Sequence, residues 1–190
     1  MDLSRNAAMF YGCEHSDLKP TNGEFAFVGS LGGLYRLLLG CWRRETCAPR
    51  LQDKWSESNP TCGQCSITSF LVQDIFGGEV YGVPNGDGSF HCFNKVGDAV
   101  FDLTSEQFDR PIEYTLDFPQ KREIHFAKTE KKSRYEMLKA MLMRRGRRRS
   151  GLDSSLGRFA AQSLRSFGQP DAFGAGEYAE PPIQGEGRCA

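Results

Sequence analysis

The spacing of apolar positions changes period along the chain, and each change predicts an element. Leu34, Tyr35, Leu37, Leu38, Leu39, Cys41 and Trp42 follow Gly32-Gly33 as an apolar run interrupted by Arg36, which predicts a packed helix over roughly 31–44. From Ser66 to Phe76, apolar residues occupy more than one face of a helix, and Gly77-Gly78 supplies a C-terminal stop. A helix of that pattern belongs at the centre of the core. The period then falls to two. Glu79-Val80-Tyr81-Gly82-Val83, Ser89 to Val96 and Ala99 to Thr104 read as three strands, joined by a turn at 84–88 and a two-residue hairpin at Gly97-Asp98. Ser105 to Phe108 reads as a capped turn, and 111–125 as loop with one or two more strands, including Glu123-Ile124-His125-Phe126. An amphipathic helix follows over 133–142, with Tyr135, Leu138 and Leu142 on one stripe.

These elements predict one α+β domain over 31–143, in which a buried helix packs on an antiparallel sheet. A chain of 190 residues with 39% hydrophobic composition suits a single core. Residues 1–30 mix Gly, Asn, Pro and charge without periodicity and read as a loosely ordered arm. Residues 144–190 read as a basic, then Gly/Ser/Pro-rich, disordered tail.

The formal net charge of zero conceals a local imbalance. Residues 1–127 carry 11 Lys/Arg against 17 Asp/Glu, net −6; residues 128–149 carry 10 against 2, net +8; residues 150–190 carry 3 against 5, net −2. Arg144, Arg145, Arg147, Arg148 and Arg149 end the last helix, where the macrodipole favours cations, and the same cluster is able to engage phosphates or another acidic partner such as nucleic acid. The first residues lack a signal-peptide pattern and no apolar run approaches about 18 residues, so a cytoplasmic, reducing location without a membrane span is expected. The seven cysteines make no paired C-x-x-C or Cys/His zinc pattern, and neither a metal nor an organic cofactor is expected. Cys13 and His15 lack further ligands at usable spacing. Cys62 and Cys65 form one C-x-x-C, but Asn59-Pro60-Thr61 precedes it where a redox motif has a strand.

The chemistry centres on Cys65. The break Asn59-Pro60-Thr61-Cys62-Gly63-Gln64 delivers it to the N-terminus of the buried helix, where unpaired N–H groups favour the thiolate. A two-residue turn at Gly97-Asp98 pairs Val96 with Ala99, and by parity puts His91, Phe93, Asp102 and Thr104 on one sheet face. A three-residue loop would separate His91 from Asp102. Cys65, His91 and Asp102 then supply nucleophile, base and orienter. Asn94 falls on the opposite face from His91. Gln64 and Asn59 offer amides for an oxyanion, beside the backbone N–H of Cys65, and Trp55 is placed to wall the cleft or plug the core. His125 is a second candidate base without a carboxylate behind it. Each of these residues also has a plain structural use: a helix cysteine packs in cores, a strand histidine is often just hydrogen-bonded, and Asp102 before Leu103-Thr104 is placed to cap a turn.

Trp42, Arg44-Glu45-Thr46-Cys47, Trp55, Asn59-Pro60, Gly63-Gln64-Cys65, Val72-Gln73-Asp74, Phe76-Gly77-Gly78-Glu79, His91 with Phe93-Asn94, Asp102-Leu103-Thr104 and Gln107-Phe108 occur in an order that resembles the YunG-like family. The resemblance spans about Leu34 to Phe108 and extends weakly toward Leu142. It implies a papain-like or transglutaminase-like core and acyl transfer or amide hydrolysis through a thioester. The family often has an aromatic after the histidine, whereas Cys92 stands here; on an alternating strand Cys92 is expected to face away from the site.

The expected function is therefore a thiol hydrolase or acyltransferase acting on a peptide, amide or small acyl compound. The alternative is a noncatalytic adaptor that uses the basic helix and tail to bind a partner such as nucleic acid. A toxin-like effector hydrolase is compatible with the size but has no signal of its own.

Overall fold

A computed structural model describes residues 10–86 and 88–149. Helix α1 (Leu31–Leu38) starts at Ser30, whose hydroxyl accepts from the N–H of Gly33 at 3.2 Å. It buries Leu31, Leu34, Leu37 and Leu38, and stops well short of the expected 44. The chain turns at Gly40, and Cys41 and Trp42 continue into the core outside the helix. Helix α2 (Cys65–Phe76) is the central element, with Ile67, Phe70, Leu71, Val72 and Ile75 wholly enclosed. At roughly 1.5–3 kcal/mol for each such side chain, this one helix contributes on the order of 10 kcal/mol of gross burial. Gly77 and Gly78, both at φ 75°, end it. A Cβ on Gly78 would fall 2.2 Å from the Lys95 carbonyl, so the helix leaves directly onto the sheet.

Strands β1 (Glu79–Pro84), β2 (Phe90–Val96) and β3 (Ala99–Phe101) form an antiparallel meander in the order β1-β2-β3. Val96 pairs with Ala99 and Asn94 with Phe101, the register of a two-residue turn. Both faces of β2 are covered. Asn94 donates to the Ser69 carbonyl of α2 at 2.9 Å, while Phe93 on the other face meets Tyr81 and Tyr114. The coarse reading of mixed helix and antiparallel sheet holds. The expected strand at 123–126 does not. Residues Arg122–Phe126 form a short helix, α3, fixed by Arg122, which pairs with Asp74 at 2.6 Å, donates to the Phe70 carbonyl and stacks on Phe70, Phe126 and Tyr135. Helix α4 (Thr129–Arg149) then lays Tyr135, Leu138 and Leu142 against the core. Gly146 lies on this helix because the Phe27 ring occupies the space of a Cβ, 2.4 Å away.

Residues 10–30, expected as a loose arm, are packed. Phe10, Phe25 and Val28 enter the core, the N–H groups of Thr21 and Asn22 satisfy the Ile75 carbonyl, and the Asn22 amide satisfies that of Asp74. The segment caps the C-terminus of α2 with short 3-10 turns, Cys13–His15 and Gly23–Val28, which leave no helical period in the sequence. Cys13 is exposed, and His15 lies 3.7 Å from Glu14. The basic stretch begins within α4, where Arg145 donates to the Gly40 carbonyl at 2.9 Å; the expected tail from 150 onward lies outside the described residues. No helix among the described residues is long and apolar enough to cross a membrane.

Candidate active site

The loop before α2 is a series of tight turns. The N–H of Cys62 donates to the Asn59 carbonyl at 3.3 Å and that of Gln64 to the Thr61 carbonyl at 3.1 Å. Gly63, at φ 67°, lies against Cys47, where a Cβ would approach the sulfur to 2.6 Å. No side chain caps the N-terminus of α2, and the partly exposed Cys65 is its first residue, where the helix dipole is positive.

His91 and Asp102 are each 1% exposed, and His91 Nε2 lies 2.5 Å from Asp102 Oδ2. The carboxylate is fully engaged. Oδ2 also accepts from the Tyr114 hydroxyl at 2.9 Å, and Oδ1 accepts from the Thr104 N–H and hydroxyl, both at 2.8 Å. The N-terminal segment closes this side: the Asp102 N–H donates to the Tyr11 carbonyl at 2.9 Å, and the Tyr11 and Tyr114 rings stack at 4.1 Å. Phe108 stands edge-on to the imidazole at 4.6 Å. With Nε2 committed to Asp102, Nδ1 is the nitrogen left for the thiol. It is buried without a hydrogen-bond partner, while His91 and Cys65 line the same cleft and each bears on the other's titration. Hydrogen bonds between a nucleophile and its base commonly tighten only around a substrate.

Burial would lower the pKa of His91, but the charge and hydrogen bond of Asp102, together with Cys65, hold it up at about 10. Cys65 is held well below the ordinary thiol range, first by a hydrogen bond from the Cys92 thiol and then, against the opposing effect of burial, by His91. Cys92 is correspondingly pushed up by Cys65 and by burial. The neighbouring imidazole favours charge on Cys65 over Cys92. Cys92 thus does not face away from the site, as strict alternation predicted. It points to α2 with Asn94, and the first residue of α2 is Cys65.

Cys62, the other half of the C-x-x-C, is buried, as is Cys47, whose thiol donates to the Ala48 carbonyl at 3.5 Å; burial raises both thiols, Cys47 to about 12. All six described cysteines are free.

The cleft at Cys65 has a volume of about 1050 Å³ and is bounded among others by His91, Gln107, Phe108, Phe118, His125 and Lys131. Gln64, Asn59 and Trp55 do not line it. Gln64 is wholly buried and its amide donates to the Arg43 carbonyl at 2.9 Å. The Asn59 side-chain oxygen accepts from the Thr61 hydroxyl, and the Trp55 indole donates to the Pro60 carbonyl at 3.1 Å. Gln64 and Trp55 thus supply donors to backbone carbonyls that a tightly turning chain exposes, and Asn59 ties the loop to its own Thr61. Gln107, by contrast, joins the two halves of the site: its amide donates to the Thr104 carbonyl and accepts from the Gly63 N–H at 3.4 Å. His125, placed on a helix rather than a strand, reaches the same cleft.

Residues 30–146 match the family described as YunG protein. The chain is 37% identical over 108 residues to Uncharacterized protein YunG of Bacillus subtilis (strain 168), covering 57% of this chain and 87% of that protein. No solved structure matches the chain.

Proposed function

The chain belongs to the YunG family, and from the geometry around Cys65 we propose that it is a thiol hydrolase or acyltransferase with a papain-like or transglutaminase-like arrangement of Cys65, His91 and Asp102. The observation that carries this reading is a buried His91–Asp102 pair whose histidine lines one open cleft together with a cysteine at the start of a helix. The thiol is held toward thiolate and the ring toward imidazolium. The sulfur attacks an acyl carbon, and the developing oxyanion is received by the first-turn N–H groups of α2. The Nδ1–H of His91 goes to the departing amine or alcohol as the thioester forms. Water or an acceptor amine then gives a proton back to Nδ1 as it attacks the thioester carbon, and the thiolate leaves. Asp102 keeps the ring in the tautomer and orientation both steps need. Cys92 holds the resting thiolate, and Gln107 ties the loop carrying Cys65 to the turn after Asp102.

Peptide-mapped alkylation with iodoacetamide tests it. Cys65 should react at pH 6–7 faster than every other thiol, and His91→Ala should abolish that advantage. Equal labelling of exposed thiols, unchanged by His91→Ala, rejects the proposal.

A further inference from the structure

The lining of the cleft is cationic. Arg50, Lys121, Lys128, Lys131 and Arg134 face it together with two carboxylates, Asp117 and Glu130. Glu130 is taken by Arg134 at 2.9 Å, and Arg134 also donates to the Thr46 carbonyl, so these two neutralise each other within the fold. Lys131 is different. It is half-buried and has no carboxylate partner among the described residues.

A chain of hydrogen bonds fixes its ammonium. The Gln120 N–H donates to the Val80 carbonyl at 2.8 Å and its side-chain amide to the Phe118 carbonyl at 3.0 Å, so Oε1 is the free end. Burial, reinforced by the neighbouring Lys131, pushes His125 down to about 4 and keeps it neutral. Its Nε2–H then donates to Gln120 Oε1 at 2.9 Å, and its Nδ1 accepts from Lys131 Nζ at 3.0 Å. One of the three ammonium protons is used and two remain. Burial pulls the Lys131 pKa down, and Cys92 and Cys65 act against it by favouring the ammonium. A long, flexible side chain held this way loses little further freedom when a ligand arrives. Phe118 and Ile124, 41% and 68% exposed, add an apolar border to the same cleft.

We propose that Lys131, positioned by His125 and Gln120, is an anion-binding subsite of the Cys65 cleft, and that the acyl or amide substrate carries a carboxylate which this ammonium receives. The inference rests on Cys65 being the nucleophile, and the test separates the two.

Alkylation of Cys65 in the full chain is measured with two matched pairs, iodoacetate against iodoacetamide and N-iodoacetylglycine against N-iodoacetylglycinamide. Each anionic-to-neutral rate ratio is divided by that for 2-mercaptoethanol. At least one pair should show an anionic preference of about fivefold or more, the size of a partly screened charge pair. Lys131→Gln should bring it to within about twofold of the small thiol. Division by the neutral reagent removes any effect of the lysine on the thiolate itself. If Cys65 reacts with the neutral reagents no faster than an ordinary thiol, the nucleophile reading fails, and this inference with it. If it reacts fast but shows no anionic preference, or keeps that preference in Lys131→Gln, only the subsite is overturned. The wild-type preference must also shrink with added salt; a salt-independent preference overturns the subsite whether or not the variant folds.

Discussion

Asp102→Asn removes one charge from the centre and leaves its shape nearly intact. His91 is held at about 10 against an ordinary 6.5 despite the opposing effect of burial, and the Asp102 carboxylate is the leading cause of that hold, ahead of Cys65. Neutralising it should free the ring's proton and raise the pH midpoint of Cys65 alkylation by about one unit or more. At pH 6 each unit of that rise lowers the thiolate fraction by up to about 10-fold, but a more basic thiolate is intrinsically more nucleophilic by about 3-fold per unit, so the net loss is up to about 3-fold per unit. Above the new midpoint the same factor reverses the order, and the variant should alkylate several times faster than wild type. The iodoacetamide rate at Cys65, mapped from pH 5 to 10, reads both limbs. Crossing curves are the expected result. Parallel curves would mean that Asp102 affects accessibility or folding instead of charge, and an unchanged profile would refute the coupling of carboxylate, imidazole and thiol altogether. Thermal denaturation accompanies the assay, because an Asn at a carboxylate that accepts from His91, Tyr114 and Thr104 costs on the order of 1–3 kcal/mol.

Gly63→Ala should lower stability by about 2 kcal/mol or more, since a side chain at φ 67° is strained and its Cβ would meet the Cys47 sulfur at 2.6 Å; Tm should drop and Cys65 alkylation slow together. Tyr114→Phe removes one donor from Asp102, 2.9 Å away, at a cost of about 1 kcal/mol, and should move the alkylation midpoint much less than Asp102→Asn. The two histidines give pH windows of opposite sign. His125 falls from 6.5 to about 4 on folding, so the unfolded chain takes up its proton first and stability should drop as pH falls through that interval. His91, raised to about 10, contributes stability that is complete below 6.5 and is lost as pH rises through 10. Chemical denaturation across pH should flatten on its acid side in His125→Gln and on its alkaline side in His91→Gln.

The His91–Asp102 contact was legible because it depends on parity, and parity is a local property. Gly97-Asp98 fixes Val96 opposite Ala99, and the count back to His91 and forward to Asp102 needs no long-range information. Asp102 shows why weighing one use of a residue against another misleads. Its turn-capping and its histidine-orienting readings hold together, one on each carboxylate oxygen. What parity could not reach is anything set by a partner distant in sequence. Alternation placed Cys92 correctly on the other face of β2, but only the packing of α2 on that face reveals that it leads back to Cys65. Residues 10–30 lack a period because they act as backbone donors to Ile75 and as a clamp behind Asp102. The segment 122–126 has strand-like composition and becomes helix because Arg122 ties it to Asp74 and Phe70. That tertiary override also carries His125 to the cleft and, through it, orients Lys131. The placement of Cys65 at the start of α2 follows from local rules, whereas the surface proposed to choose its substrate follows from contacts between segments distant in sequence.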